Sequence, residues 1–220
     1  MKVTYLGHAC FLLETAAGTR ILIDPYNEQV GYPIRPVPAD VVLISHEHFD
    51  HNYLAMATGS PRVIRGLREE GREWADVRET VDGIEISTVR TYHDETQGSQ
   101  RGKNAMFLVR ADGLGLLHAG DLGHPLDPGT IAQVGRVDVF MVPVGGYYTI
   151  DAATANRVIE QLSPRVVIPM HYRTEVNPDW PIAPLDPFLQ GKANVRHVGH
   201  VVEVRDLPVH REIWVMAWKA

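Results

Sequence analysis

The stretch Val41-Val42-Leu43-Ile44-Ser45-His46-Glu47-His48-Phe49-Asp50-His51 constrains this chain more than any other. Its four-residue apolar run reads as a short buried strand. Three histidines and an aspartate follow at once, at positions 46, 48, 50 and 51. In an extended or turning loop, residues i and i+2 point the same way, so His46 and His48 can converge on one cation. Asp50 and His51 then point to a neighbouring position, offering a hard oxygen and a borderline nitrogen. Such a mixed set suits zinc, and also manganese or iron. A lone H-x-H arises readily by chance at a surface. H-x-H-x-D-H directly after an apolar strand is far more specific. It is not a zincin helix, because the position four after His46 is Asp50 and H-E-x-x-H fails.

A metal pair needs more donors than one loop supplies. Three further segments end in suitable residues: His93 after a predicted strand at 84–92, Asp121 after one at 114–118, and His171 after one at 166–168. Singly, a histidine after a strand is usually structural or exposed. Loops at one edge of a sheet framework can nevertheless gather such positions around the first loop.

The remaining pattern is strand-rich. Residues 3–6, 11–15 and 20–24 read as strands with turns at Gly7 and Gly18. Prolines 33, 36 and 38 make 31–39 a rigid loop. Residues 52–58 read as a short helix after the histidine loop. Strands are expected at 63–64, 84–92, 105–110 and 114–118, with Asp112-Gly113 as a hairpin turn. In the second half, strands at 138–142 and 166–168 flank a helix at 152–162, capped by Asp151 and stopped before Pro164. The proline-rich stretch 177–187 reads as an irregular rim loop, and 195–197, 201–204 and 213–218 as closing strands. Two packed sheets with helices outside fit this order, an α/β architecture of four layers.

Composition narrows the function. Net charge is −6, from 27 acids against 21 bases, which disfavours a nucleic-acid binder working through a broad basic face. The single cysteine, Cys10, excludes an internal disulfide and reads as a small buried residue of an early strand. No apolar run approaches a membrane span and no signal-peptide core is visible, so a soluble, cytoplasmic protein is expected. No G-x-S-x-G elbow, P-loop or dinucleotide fingerprint is present.

The H-x-H-x-D-H loop, with His93, the Gly120-Asp121 step and His171 in that order, resembles the signature of the metallo-β-lactamase superfamily over nearly the whole chain. Tyr5 to Phe11, Arg101 to Ala105 and Pro143 to Gly146 resemble the branch that includes L-ascorbate-6-phosphate lactonase. The resemblance implies one domain over 1–220 with the αββα sandwich. It implies two divalent cations, zinc favoured and manganese or iron allowed. His46, His48 and His93 would hold the first, Asp50, His51 and His171 the second, and Asp121 would bridge them. A hydroxide shared by the pair would attack a lactone or other ester of a small metabolite, phosphorylated or not, with Asp50 orienting it. Two rivals stand beside this reading: a phosphodiesterase, and a metal-binding or ligand-sensing protein with little turnover. Oligomers are common in the branch, which points to a homo-oligomer.

Other residues are weighed individually. His8, in the turn after the first strand, is expected beside the metals or facing substrate and not as a ligand. Asp24 is expected to orient a ligating histidine, a role carboxylates in this superfamily often have. Gly120 is expected where backbone passes close to the metal. Arg101 and Lys103 are candidates for a cationic clamp on a substrate anion, beside the reading of 97–104 as a solvated turn, and Arg173 is a second candidate for the same task. Tyr147 and Tyr148 would close over the site or simply pack. His118 is expected to be buried and hydrogen-bonded, and His124, His197, His200 and His210 have no ligand context.

Overall fold

The computed structural model describes residues 1–219. The chain runs β1 (Lys2–Gly7), β2 (Cys10–Glu14), β3 (Arg20–Ile23), β4 (Val41–Ile44), β5 (Arg62–Arg65), β6 (Arg78–Val81), β7 (Ile84–Tyr92), β8 (Lys103–Ala111), β9 (Leu114–His118), α1 (Pro128–Val134), β10 (Val139–Pro143), α2 (Ala152–Leu162), β11 (Val166–Met170), β12 (Val195–Val198), β13 (Val201–Glu203) and β14 (Glu212–Met216). One six-stranded sheet has the order β13-β1-β2-β3-β4-β5, and an eight-stranded sheet the order β6-β7-β8-β9-β10-β11-β14-β12.

The apolar run in β4 is explained by its two faces. Val41 and Leu43 point into the core between the sheets, where they join Phe11, Phe107 and Met141. Val42 and Ile44 point outward into a second cluster with Tyr26, Val30, Tyr32 and Met56. A strand buried on both faces has no polar side to show, and a run without alternation is the result. The helices α1 and α2 cover the outer face of the eight-stranded sheet, against β7 and β10. The outer face of the six-stranded sheet is covered by loops and the 3-10 turns Glu28–Val30 and Leu54–Met56.

That last turn corrects the helix expected over 52–58. Only Leu54–Met56 is helical, its cap residue Tyr53 makes no side-chain cap bond, and Ala57–Thr58 pairs instead with Val37–Pro38. The helix α1 was not anticipated, although Asp127 caps it through Gly129 and Thr130 and Pro128 opens it. Asp151 caps α2 as expected, accepting from the Thr154 amide.

Pairing sense decides where the strand ends fall. β1 and β2 are antiparallel, β2 and β3 antiparallel, and β3 and β4 parallel, so β1 and β4 run the same way. In the other sheet β7, β9, β10 and β11 share one direction by the same logic. Their carboxyl ends therefore open at one edge of each sheet. Hydrogen bonds join those edges across the sandwich: Ala105 N donates to Ser45 O (3.1 Å), His171 N to His8 O (2.9 Å), and His118 Nε2 to Ala9 O (2.8 Å).

Candidate metal centre

The loops at these carboxyl ends converge. His8 follows β1, His46 to His51 follow β4, His93 follows β7, Asp121 follows β9 and His171 follows β11. His8, Asp24 and His171 each hold a left-handed backbone (φ 56°, 49° and 51°), uncommon for residues other than glycine. Such conformations cost about 1–3 kcal/mol each and cluster where a side chain must be aimed.

Donor atoms fall into overlapping groups, with all atoms of each group within 4.8 Å of one another. One holds His46, His48 and His93; another holds His8, Asp50, His51 and His171; a third holds His46, His51 and Asp121. Asp121 lies between the first two. Its Oδ2 is 3.0 Å from His93 Nε2 and 3.4 Å from His171 Nε2, and its Oδ1 is 3.2 Å from His51 Nε2. The seven residues that the resemblance pointed to thus meet at one place.

Hydrogen bonds from behind fix which ring nitrogen faces inward. His51 Nδ1 donates to Asp24 Oδ2 (3.0 Å) and His93 Nδ1 to the Tyr148 carbonyl (3.1 Å). His46 Nδ1 donates to Ser45 Oγ (2.9 Å), which in turn donates to Asp24 Oδ2 (2.6 Å). Each Nδ1 is thereby taken, so Nε2 is the nitrogen that each ring turns to the cluster, as a metal ligand needs. Asp24 also accepts from Ser45 N (2.8 Å), so one buried carboxylate braces both ends of the histidine loop. Asp121 is steadied through its amide, which donates to Asn104 Oδ1 (3.0 Å).

The donor set fits divalent cations on two observations. His46 Nε2, His51 Nε2 and Asp121 Oδ1 are buried without any hydrogen-bond partner, a costly state for polar atoms unless something else satisfies them. The electrostatics also call for positive charge. Burial disfavours a charged His51, yet Asp121 and Asp50 outweigh it and push this imidazole well above its ordinary value. Burial raises the Asp121 carboxyl, but His171, His51 and His93 hold it well below the usual range. Burial, then His51, keeps His46 well down, and burial with His93 lowers His48, so both stay neutral and able to ligate.

The other expected residues separate. Asp24 sits behind His51 and Ser45, as above. His8 is buried in the second cluster, with Nε2 3.0 Å from Asp50 Oδ2 and its ring 4.2 Å from that of His171. His118 is buried and bonded to Ala9 O. His124 accepts from the Tyr92 amide through Nε2 (3.0 Å). Gly120 is tight for a different reason from the one expected: a Cβ there would lie 2.4 Å from Asn104 Oδ1 and 2.8 Å from Ser45 Cβ. Among the three cations, Arg101 lines the cavity over the donors. Lys103 does not: its amine bonds to Arg72 O and Glu73 and lies over the Trp74 ring. Arg173 is likewise outside the lining, its amide tied to Ala183 O (2.9 Å).

That cavity has a volume of about 580 Å³ and opens onto His48, Asp50, His93, Asp121 and His171. Its remaining wall includes Phe49, Tyr148 and Trp180. Tyr148 therefore lines the site, while Tyr147 is 64% exposed and outside the lining. The 177–187 stretch supplies Asp179, Trp180 and Pro181, which makes it the rim. Phe49 and Trp180 carried no local signal, because an aromatic residue in a loop reads the same whether it packs or faces a ligand. Asp94 was also overlooked. Its carboxylate accepts from Thr96 N, Thr96 Oγ1, Gly98 N, Gln100 N and Arg101 N, and the D-x-T-x-G spacing is a turn signal.

Comparison with known proteins gives the family of this fold. Residues 2–171 match the family model of the β-lactamase superfamily domain. An Archaeoglobus fulgidus protein named UPF0173 metal-dependent hydrolase is 35% identical, over 93% of this chain and 94% of its own length. One of the same description from Pyrococcus furiosus is 33% identical, over 85% and 89%. A crystal structure from Thermotoga maritima, titled as a proposed Zn-dependent hydrolase of the metallo-β-lactamase superfamily, is 37% identical with a TM-score of 0.80, covering 98% of this chain and 97% of that one. Among the described residues no helix is long and apolar enough to cross a membrane.

Proposed function

The chain belongs to the β-lactamase superfamily and is a metal-dependent hydrolase; from that premise we propose that it opens a lactone, or cleaves another ester, of a small metabolite with two divalent cations bound. His46, His48 and His93 would hold one cation, Asp50, His51 and His171 the other, and Asp121 both. Zinc is the favoured ion for this nitrogen-rich set, and manganese or iron also suit it. When bound, such a pair supplies the Lewis acidity that makes water a nucleophile near neutral pH.

The chain's own groups do the rest. Asp24, Ser45 and the Tyr148 carbonyl hold the ligand rings in one orientation before substrate arrives. Burial opposes charge on Asp50, but His51 and His8 hold its carboxyl well below the usual range, so it stands ionised at the cavity wall. There it orients the attacking water and accepts its proton. The water oxygen bonds to the carbonyl carbon, the ring C–O bond breaks, and the proton held on Asp50 passes to the departing ring oxygen, so that a hydroxy acid leaves. A cavity of about 580 Å³ is of the size that small-molecule sites have.

The observation that carries this reading is the set of buried, unpartnered nitrogens and oxygen meeting around Asp121. Elemental analysis of the purified protein, with turnover of γ-lactones and bis(p-nitrophenyl) phosphate on the same sample, tests it. Two equivalents of divalent metal and lactone turnover are expected, both lost in Asp121→Ala. Protein that takes up neither zinc nor manganese, or that cleaves only the phosphodiester, overturns it.

A further inference from the structure

Arg101 stands apart from the other cations near the site. Among the described residues, Arg101 is the cationic side chain that lines the cavity, and its guanidinium forms neither an ion pair nor a side-chain hydrogen bond. Arginine carries five donors in a planar fork, and most arginines of this chain spend theirs: Arg20 on Asp40, Arg65 on Glu47, Arg90 on Asp76. The guanidinium of Arg101 instead lies 5.7 Å from the centroid of the Tyr148 ring, itself a cavity wall. Its backbone is fixed from the other side, since Arg101 N donates to Asp94 Oδ2 at 2.7 Å. Asp94 gathers the whole turn from Thr96 to Arg101 around one carboxylate. A cation set by a rigid turn, backed by an aromatic face and left without an acid, is built to receive one.

We infer that the substrate carries an oxyanion of its own, a carboxylate or a phosphate, and that Arg101 is the residue that selects for it. The hydrolysis itself rests on the proposed function; the recognition does not. The acid would lie against Arg101 and Tyr148, with the reacting carbonyl over Asp50 and Asp121 and the intervening apolar part along Trp180 and Phe49. Fork geometry matches either oxyanion, and a lysine would offer a point charge in its place.

Three lactones with one ring test this: γ-(hydroxymethyl)-γ-butyrolactone, the corresponding carboxylic acid, and its phosphate monoester. Metal-loaded wild type should show higher kcat/KM on an acidic lactone than on the neutral one, and the two acidic arms tell carboxylate from phosphate. Arg101→Gln should lose about 10- to 100-fold on the preferred acid, mostly through KM, so that the acid-to-neutral ratio falls toward one. Arg101→Lys should keep part of the preference. Wild type that favours the neutral lactone, or an Arg101→Gln variant that keeps the ratio, overturns the inference while leaving hydrolysis standing. If no lactone turns over, the proposed chemistry fails and binding decides the recognition. Glutarate is then titrated against the fluorescence of the cavity's Trp180. A Kd weakened about 10- to 100-fold by Arg101→Gln supports the inference, and equal Kd values or no binding to wild type overturn it.

Discussion

His8 Nε2 lies 3.0 Å from Asp50 Oδ2, a contact between a turn at the start of the chain and the acid at the cavity wall. Burial, with neighbouring His171, lowers the His8 imidazole to about 4, so it is neutral and its proton sits on Nε2, donating to the carboxylate. One Asp50 oxygen is thereby held from behind. His8→Asn isolates this bond, because asparagine tolerates the left-handed backbone at position 8 but is too short to reach Asp50. Loss of such a supporting partner typically costs 10–100-fold in activity or metal affinity, so a fall of about that size in kcat/KM is expected with little change in Tm. Full activity and unaltered metal affinity in His8→Asn would show that Asp50 needs no such support.

Asp24 is buried and touches no cavity, yet it accepts from Ser45 N, Ser45 Oγ and His51 Nδ1. Asp24→Asn keeps the shape and the turn but puts a donor where acceptors are needed. Ser45 Oγ or His51 must turn away, and the Nε2 of His51 loses its aim. We expect metal affinity to fall by about 10–100-fold, read by competition against a chromogenic chelator. The loss should fall more on the step that uses His51 with Asp50 and His171, since Asp24 bonds His51 directly and reaches His46 only through Ser45. Two steps weakened equally would mean that Asp24 acts on the loop as a whole, and no weakening would remove it from the site.

Much of this was legible in the chain itself, for reasons that differ by residue. The donors His46 to His51 announce themselves because no fold needs that density of imidazole. Position α2 was readable because Asp151 and the residues after Leu162 mark both ends locally. The short strand β6 was not, because it is an edge strand whose burial alternates only between exposed and half-exposed. Arg101 and Lys103 are two residues apart and identical in what the sequence says of them. Only tertiary packing separates them, by setting Lys103 over the Trp74 ring with Glu73 as its acid and setting Arg101 over the Tyr148 ring with no acid. Trp180 and Phe49 were hidden likewise, since cavity walls are made between segments distant in sequence.

Metal removal should be felt in stability as well as activity. The buried atoms His46 Nε2, His51 Nε2 and Asp121 Oδ1 make no hydrogen bond in the protein, His51 and Asp121 meeting only as an ion pair at 3.2 Å. An ion that binds the folded chain alone stabilises it by about 2.7 kcal/mol at a free concentration one hundred times Kd. For a domain of this size that corresponds to roughly 5–10 °C in Tm. Calorimetry before and after chelation, then with zinc or manganese restored, measures it. A Tm indifferent to chelation would mean that the cluster is satisfied without an ion.

Gly123 offers a test of how closely the two site loops are packed. A Cβ at that position would lie 2.2 Å from the carbonyl carbon of His93 and 2.3 Å from Asp94 N. Both are backbone atoms, so no side chain can swing aside. The Gly123 amide also donates to Tyr92 O (2.9 Å), which locks the two loops in register. Gly123→Ala must push the 93–94 backbone away, and with it His93 Nε2 and the turn that Asp94 organises. Overpacking of this kind costs about 1–3 kcal/mol, and the displaced His93 should weaken metal binding in the same variant. Gly199→Ala is the matched control: its nearest neighbour would be Val201 O at 3.9 Å, an ordinary contact, so a change within about 0.5 kcal/mol is expected. Denaturant unfolding of both variants, with metal content measured on the same samples, separates the cases. A Gly123→Ala protein as stable and as fully metallated as Gly199→Ala would show that these loops have room to part.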